Sequence, residues 1–119
     1  MNPNTLSQVF CWGQVPGVAG GYTTTPLYMP GLDGTSQMAI GANHACAYEP
    51  PSYTAPYLEH LWCFGDNSKG QLGDGTTQSS ATPVEITSIT NEPRLPTDKP
   101  VSIRAISAGG DHTCAIQNG

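Results

Sequence analysis

Hydrophobic and polar positions alternate with a period of two wherever the chain shows a clear pattern. Val101-Ser102-Ile103-Arg104-Ala105-Ile106 alternates along most of its length, which predicts a half-buried strand. His112-Thr113-Cys114-Ala115-Ile116 and Leu61-Trp62-Cys63-Phe64 are short runs of strand-favouring residues. Two segments are apolar on both faces. Along 44–48, His44, Cys46 and Tyr48 share one side, and Ala45 and Ala47 the other; along 61–65, Cys63 opposes Trp62 and Phe64. Strands without a polar face are buried on both sides, as in stacked sheets. Asp66-Asn67-Ser68-Lys69-Gly70 and Gly73-Asp74-Gly75 read as turns. No segment carries a useful helical period, so the expectation is an all-β chain with almost no helix.

The chain also repeats itself. Ile40-Gly41-Ala42-Asn43-His44-Ala45-Cys46-Ala47-Tyr48 aligns with Ala108-Gly109-Gly110-Asp111-His112-Thr113-Cys114-Ala115-Ile116, with Gly, His, Cys and Ala at the same spacing. Val9-Phe10-Cys11-Trp12-Gly13-Gln14 aligns with Leu61-Trp62-Cys63-Phe64-Gly65-Asp66, and Thr25-Pro26-Leu27 more weakly with Thr82-Pro83-Val84. Repetition of this kind is the mark of architectures built from stacked units. The repeats differ in loop length. The longest inserts run from Glu49 to His60 and from Thr87 to Pro100; their prolines predict surface loops.

These residues carry a family resemblance. Leu61-Trp62-Cys63-Phe64-Gly65-Asp66-Asn67-Ser68-Lys69-Gly70-Gln71-Leu72-Gly73-Asp74-Gly75-Thr76-Thr77 resembles the opening of an RCC1 repeat, with its aromatic-Gly-x-Asn turn and Gly-Gln-Leu-Gly run. Ile106-Ser107-Ala108-Gly109-Gly110-Asp111-His112-Thr113-Cys114-Ala115-Ile116 resembles its closing segment, and the cysteine-bearing versions look like the bacterial branch of the family. The chain then divides into an N-terminal tail at 1–8, a degenerate repeat with an inserted loop at 9–60, and a repeat at 61–119. In the first repeat, Gln14-Val15-Pro16-Gly17-Val18-Ala19-Gly20-Gly21 stands where the Gly-Gln-Leu-Gly run belongs. The resemblance implies four-stranded blades of a β-propeller. About two repeats form only a partial propeller, so the expectation is a fragment of a longer protein or a ring completed by other copies.

The same resemblance implies roles for the cysteines and aromatics. Each His-x-Cys strand would form a hairpin with the following Cys-aromatic-Gly strand, setting Cys46 opposite Cys63 in a disulfide. Closing a loop of roughly 15 residues stabilises by about 3 kcal/mol. Cys11 and Cys114 remain. They are open to pairing with flanking repeats, with another copy, with each other, or to standing as free thiols. His44, His112, Phe10, Trp12, Trp62, Phe64 and Gly65 are expected to be structural parts of the blades, and Tyr53 and Tyr57, in the proline-rich insert, possible partner contacts.

Composition narrows the function. The 119 residues are 37% hydrophobic and 11% charged, with 14 glycines, 11 prolines and a net charge of −5. Lys69, Arg94, Lys99 and Arg104 are the only strong cations and form no cluster, which argues against nucleic acid and anionic membranes as partners. No apolar run approaches a membrane span, and residues 1–10 lack the pattern of a signal peptide. Four cysteines in so short a chain fit a disulfide framework and an oxidising, extracellular or cell-surface setting.

Rival chemistries are weaker. His44, Cys46, His112, Cys114, Cys11 and Cys63 are zinc-ligand types, but His-x-Cys without Cys-x-x-Cys is not a usual zinc spacing. Asp111 and His112, adjacent on a strand, would face opposite ways and cannot form two members of a triad. Gly70-Gln71-Leu72-Gly73 lacks the lysine of a phosphate loop, and the acids fit no EF-hand spacing. The expectation is a protein-interaction scaffold without enzymatic activity or cofactor. The alternatives are a self-assembling propeller subunit and a small β-domain binding metal through His and Cys.

Overall fold

The computed structural model describes residues 7–16, 20–51, 59–87 and 102–118. Among them are eight strands and no helix: β1 (Phe10–Gly13), β2 (Thr23–Tyr28), β3 (Gln37–Ile40), β4 (His44–Glu49), β5 (His60–Gly65), β6 (Ser80–Glu85), β7 (Ser102–Ala108) and β8 (Thr113–Asn118). They form three antiparallel sheets: β1-β2, then β3-β4-β5-β6, then β7-β8. The central sheet crosses position 60, so it takes two strands from each sequence repeat. Sequence unit and sheet are out of phase by half a sheet.

The two outer sheets repeat the halves of the central one. Cys11 faces Leu27 across β1-β2, as Cys63 faces Val84 across β5-β6, and each pair is followed by a bulge before Gly13 or Gly65. After the second strand, Met29 N–H donates to Val9 O at 2.8 Å, and Ile86 N–H to Leu61 O at 2.8 Å. Likewise Ala39 faces Cys46 in β3-β4, and Ser107 faces Cys114 in β7-β8. The turns between these strands close through Gly41 N–H to His44 O at 2.8 Å and Gly109 N–H to His112 O at 3.1 Å. In both turns the histidine ring lies where a glycine Cβ would be, which is why Gly-x-x-His recurs.

β4 is buried along its length from His44 to Tyr48, and β5 nearly so. Alternation sends their side chains into two cores. Ala45, Ala47 and Phe64 pack with Val9, Val15, Met29 and Leu32 in a seam with the first sheet. Cys46, Tyr48, Leu61, Cys63, Leu72 and Ile86 pack with Ile103 in a seam with the third. Val15, on the stretch that stands where the Gly-Gln-Leu-Gly run belongs, is buried in the first seam, and Leu72 of that run in the second. Burying a side chain of this size is worth roughly 1.5–3 kcal/mol.

β7 runs alongside β3. Gln37 Nε2 donates to Arg104 O at 3.1 Å at one end of the pair, and Ala42 N–H to Gly110 O at 3.2 Å at the other. The latter end gathers the turns at 41–43 and 109–112 with the loop at 66–79. The opposite rim is where the chain leaves the described residues, after Pro51 and after Thr87. Both long inserts therefore join the frame at one rim.

Gly65 adopts φ +109°, and a Cβ there would collide with Asn43 O and approach Pro16 Cβ to 2.8 Å. Gly75 has φ +83° with open space around it. Gly65→Ala should cost about 3 kcal/mol and Gly75→Ala about 1 kcal/mol in denaturant unfolding. Equal costs would mean that the tight crossing at Gly65 does not limit the frame.

Candidate functional site

The seam between the central and third sheets concentrates the polar chemistry. Cys46 and Cys63 stand opposite each other in register, with Cα atoms 4.1 Å apart, and their sulfurs are bonded. Both are fully buried, so the bridge lies inside the seam, where reductants have little access.

His44 crosses the same seam. Its Nε2 lies 2.8 Å from Thr113 Oγ1, and Thr113 Oγ1 lies 2.8 Å from Gln71 O. A carbonyl can only accept, so the threonine hydroxyl donates to Gln71 and accepts from His44. That fixes the imidazole with its proton on Nε2. Nδ1 is buried against Gly41 without a hydrogen bond. The ring is a structural strut, oriented by the next sheet. His112, its counterpart on the third sheet, is exposed.

The loop after β5 is ordered by side chains. Asn67 is fully buried. Its Nδ2 donates to Thr76 O and Gln78 O, each at 3.0 Å, and to Asp74 Oδ1 at 3.1 Å; its Oδ1 accepts from Leu72 N–H at 2.9 Å. The bond to Leu72 holds that side chain in the seam. Asp66 accepts from Ser68 N–H and Gln71 Nε2, each at 3.1 Å, and Asp74 from Thr76 Oγ1 at 2.7 Å. Ser68 N–H above all holds the Asp66 carboxyl below its ordinary value, as the Thr76 side chain does for Asp74. In the sequence, 66–70 and 73–75 look like generic turns. The buried asparagine that organises them was signalled only by its place after aromatic-Gly-x.

At the far rim Tyr48 Oη donates to buried Glu59 Oε2 at 2.6 Å. His60 Nδ1 is 2.7 Å from Glu85 Oε1, and its ring stacks on Trp62 at 5.6 Å. Tyr53 and Tyr57 lie outside the described residues.

Several sequence-predicted blade residues sit where expected only in the centre. Phe64 and Gly65 are buried and Trp62 partly so, but Trp12 is 64% exposed and Phe10 48%. The reason is positional: among the described residues β1 has a single strand beside it, and its outward face meets no sheet. Cys11 is half-buried, with burial pushing its thiol up, and Cys114 is exposed. The structure brings Cys46 and Cys63 together and leaves the other two apart. Among the described residues no group of three His, Cys, Asp or Glu side chains could hold a metal ion. Nor, among those residues, is any helix long and apolar enough to cross a membrane.

Residues 59–116 match the family model described as the regulator of chromosome condensation (RCC1) repeat. Among solved structures, the crystal structure of human WBSCR16 aligns with 94% of this chain at 20% identity and a TM-score of 0.62. The likeness is one of fold, and the chain spans 27% of that structure's length. No curated protein matches the chain.

Replacing Cys46 and Cys63 together by alanine should lower the unfolding free energy by about 3 kcal/mol, from the loop the bridge closes. Chemical denaturation measures it, and an unchanged midpoint would show that the bridge holds nothing. A second expectation concerns acid. Because Asp66 and Asp74 titrate lower in the folded chain than their ordinary 3.8, their contribution is complete above that value. It is lost as pH falls through the depressed folded values. Amide exchange at Ser68 and Thr76, corrected for the intrinsic pH dependence, should show constant protection down to about pH 4 and a decline below it.

Proposed function

The chain is an RCC1-repeat protein over residues 59–116, its three sheets one whole blade and two half-blades of a propeller, and from this premise we propose that it is a non-enzymatic protein-interaction scaffold. The observation that carries the reading is the common rim of the two long inserts. A frame held by a buried disulfide and two apolar seams presents, at one end, the connections in which the repeats differ most. Binding specificity concentrates on loops held by rigid scaffolds. The proline-rich insert 50–58 adds Tyr53 and Tyr57, of a residue type enriched at interaction hot spots. The opposite rim is committed to internal hydrogen bonds.

A protein partner fits the charge better than nucleic acid or an anionic membrane. The net charge is −5, and Lys69 and Arg104, the described strong cations, lie far apart in sequence on different elements. The buried disulfide supports an oxidising, extracellular setting. His44, Cys46 and Cys63 serve the second seam, which supports a scaffold over a metal-binding domain.

The test compares the chain with a Tyr53→Ala, Tyr57→Ala variant as bait for proteins of its native setting, quantified by mass spectrometry. Proteins retained by the parent should fall by about tenfold or more with the variant, at unchanged thermal unfolding. The same proteins retained equally by both would reject this rim as the contact surface.

A further inference from the structure

The chain holds two Asp-Gly steps, Asp33-Gly34 and Asp74-Gly75, and the structure treats them in opposite ways. We propose that Asp74-Gly75 is a site of spontaneous modification, at which the aspartate converts through a cyclic imide to isoaspartate, and that the conversion loosens the seam between the central and third sheets. The step lies in the loop after β5, on the rim away from the inserts, so the proposal stands independently of what the inserts bind.

The chemistry needs only the chain and water. The Gly75 nitrogen attacks Asp74 Cγ; an N–Cγ bond forms, a Cγ–O bond breaks, and water leaves with the amide proton and the carboxyl proton. Water then reopens the five-membered ring. Cleavage of the N–Cγ bond restores aspartate. Cleavage between the nitrogen and the main-chain carbonyl carbon of Asp74 leaves the chain running through the side chain, one methylene longer, with a free α-carboxylate. Nothing is oxidised or reduced. Glycine favours the attack because no Cβ shields its nitrogen and its backbone turns freely.

The carboxylate of Asp74 is folded back over its own peptide. It accepts from the Asp74 backbone N–H and from Thr76 N–H, the latter at 2.9 Å. These two amides flank that of Gly75, so the carboxyl carbon is held beside the attacking nitrogen. Among the described residues Gly75 N–H has no hydrogen-bond partner, whereas Gly34 N–H donates to Ser7 O at 2.8 Å. The Asp33 carboxylate is drawn instead to Tyr28 Oη, which donates to its two oxygens at 2.8 Å and 2.9 Å. Gly75 is exposed, with open space around it, so water reaches the imide.

The bonds that place the carboxyl also set the pace. Its oxygen leaves as water only from the protonated acid, and the Thr76 side chain above all keeps Asp74 ionised. The reaction is therefore slow near neutrality and speeds up as pH falls towards the ordinary carboxylate range.

The conversion disorders the loop. Asn67 Nδ2 spans the step: it donates to Asp74 Oδ1 at 3.1 Å and, beyond Gly75, to Thr76 O and Gln78 O, each at 3.0 Å. With one more methylene between these acceptors, a single amide no longer reaches them all. The same Asn67 holds Leu72 N–H at 2.9 Å, and Leu72 is buried in the seam. Next to it, Gln71 O accepts from the Thr113 hydroxyl of the third sheet. Loss of the asparagine's order thus reaches both the apolar and the polar contacts between the sheets.

The test ages the full chain in warm buffer at about pH 6 and locates isoaspartate by peptide mapping, in which the isomerised peptide shifts in retention at unchanged mass. Asp74 should carry it in at least about tenfold excess over Asp33. Gly75→Ala, at a position with room for the methyl group, should cut the yield at Asp74 by about tenfold and leave that at Asp33 unchanged. Ageing at about pH 5 should outpace ageing at about pH 8. The isomerised fraction, separated by chromatography, should unfold at lower denaturant than the parent and lose protection of Leu72 N–H in amide exchange. Equal yields at the two steps, or an excess at Asp33, would overturn the proposal. So would an Asp74 that stays intact over the time in which the chain unfolded in urea isomerises at both. An isomerised fraction with the parent's stability and Leu72 protection would overturn the link to the seam. None of these outcomes bears on the tyrosine variant of the insert, so the two readings fail separately.

Discussion

Both apolar seams of this structure are built on the β4-β5 hairpin, a strand pair buried on both faces and bonded through its facing cysteines. A pair with no polar face cannot exist at a surface, so it demands a layer on each side. The first sheet packs against Phe64 and the alanines; the third packs against the disulfide, Tyr48 and Leu61. The hairpin is also where the two sequence repeats meet. A covalent bond here ties the repeats together at their junction, which neither could do alone.

Polar groups then set the angle between layers. Apolar seams tolerate sliding, because burial is non-directional. The chain from His44 through Thr113 to Gln71 O tolerates little, because each group has a single geometry in which it is satisfied. Asn67 does the same for a loop without secondary structure, replacing ladder hydrogen bonds with side-chain ones. The result is a rim that is rigid although it is all turns, opposite one that carries the variable connections.

Much of this was legible in the residues. The two-residue period and the alternating faces of 44–48 and 61–65 gave the strands and their double burial. The recurrence of Gly-x-x-His has a local cause, an imidazole seated on a residue without Cβ, and local causes survive in sequence. What could not be read depends on who is next to whom. Trp12 and Phe64 hold the same motif position, yet one is largely exposed and the other buried, because among the described residues β5, unlike β1, lies between two strands. His112 differs from His44 for the same reason. The half-blade offset is likewise invisible in a repeat alignment, which locates recurring residues but not the sheet edges between them.

That offset has an evolutionary consequence. When the unit of duplication begins and ends mid-sheet, every added copy is stitched to its neighbours by main-chain pairing as well as by packing. Blade number can then grow or shrink by whole units while the junction chemistry stays constant, since each new boundary reproduces the same strand partnership. Loops diversify freely under such a scheme, whereas the few residues at the boundary are held by both neighbours at once.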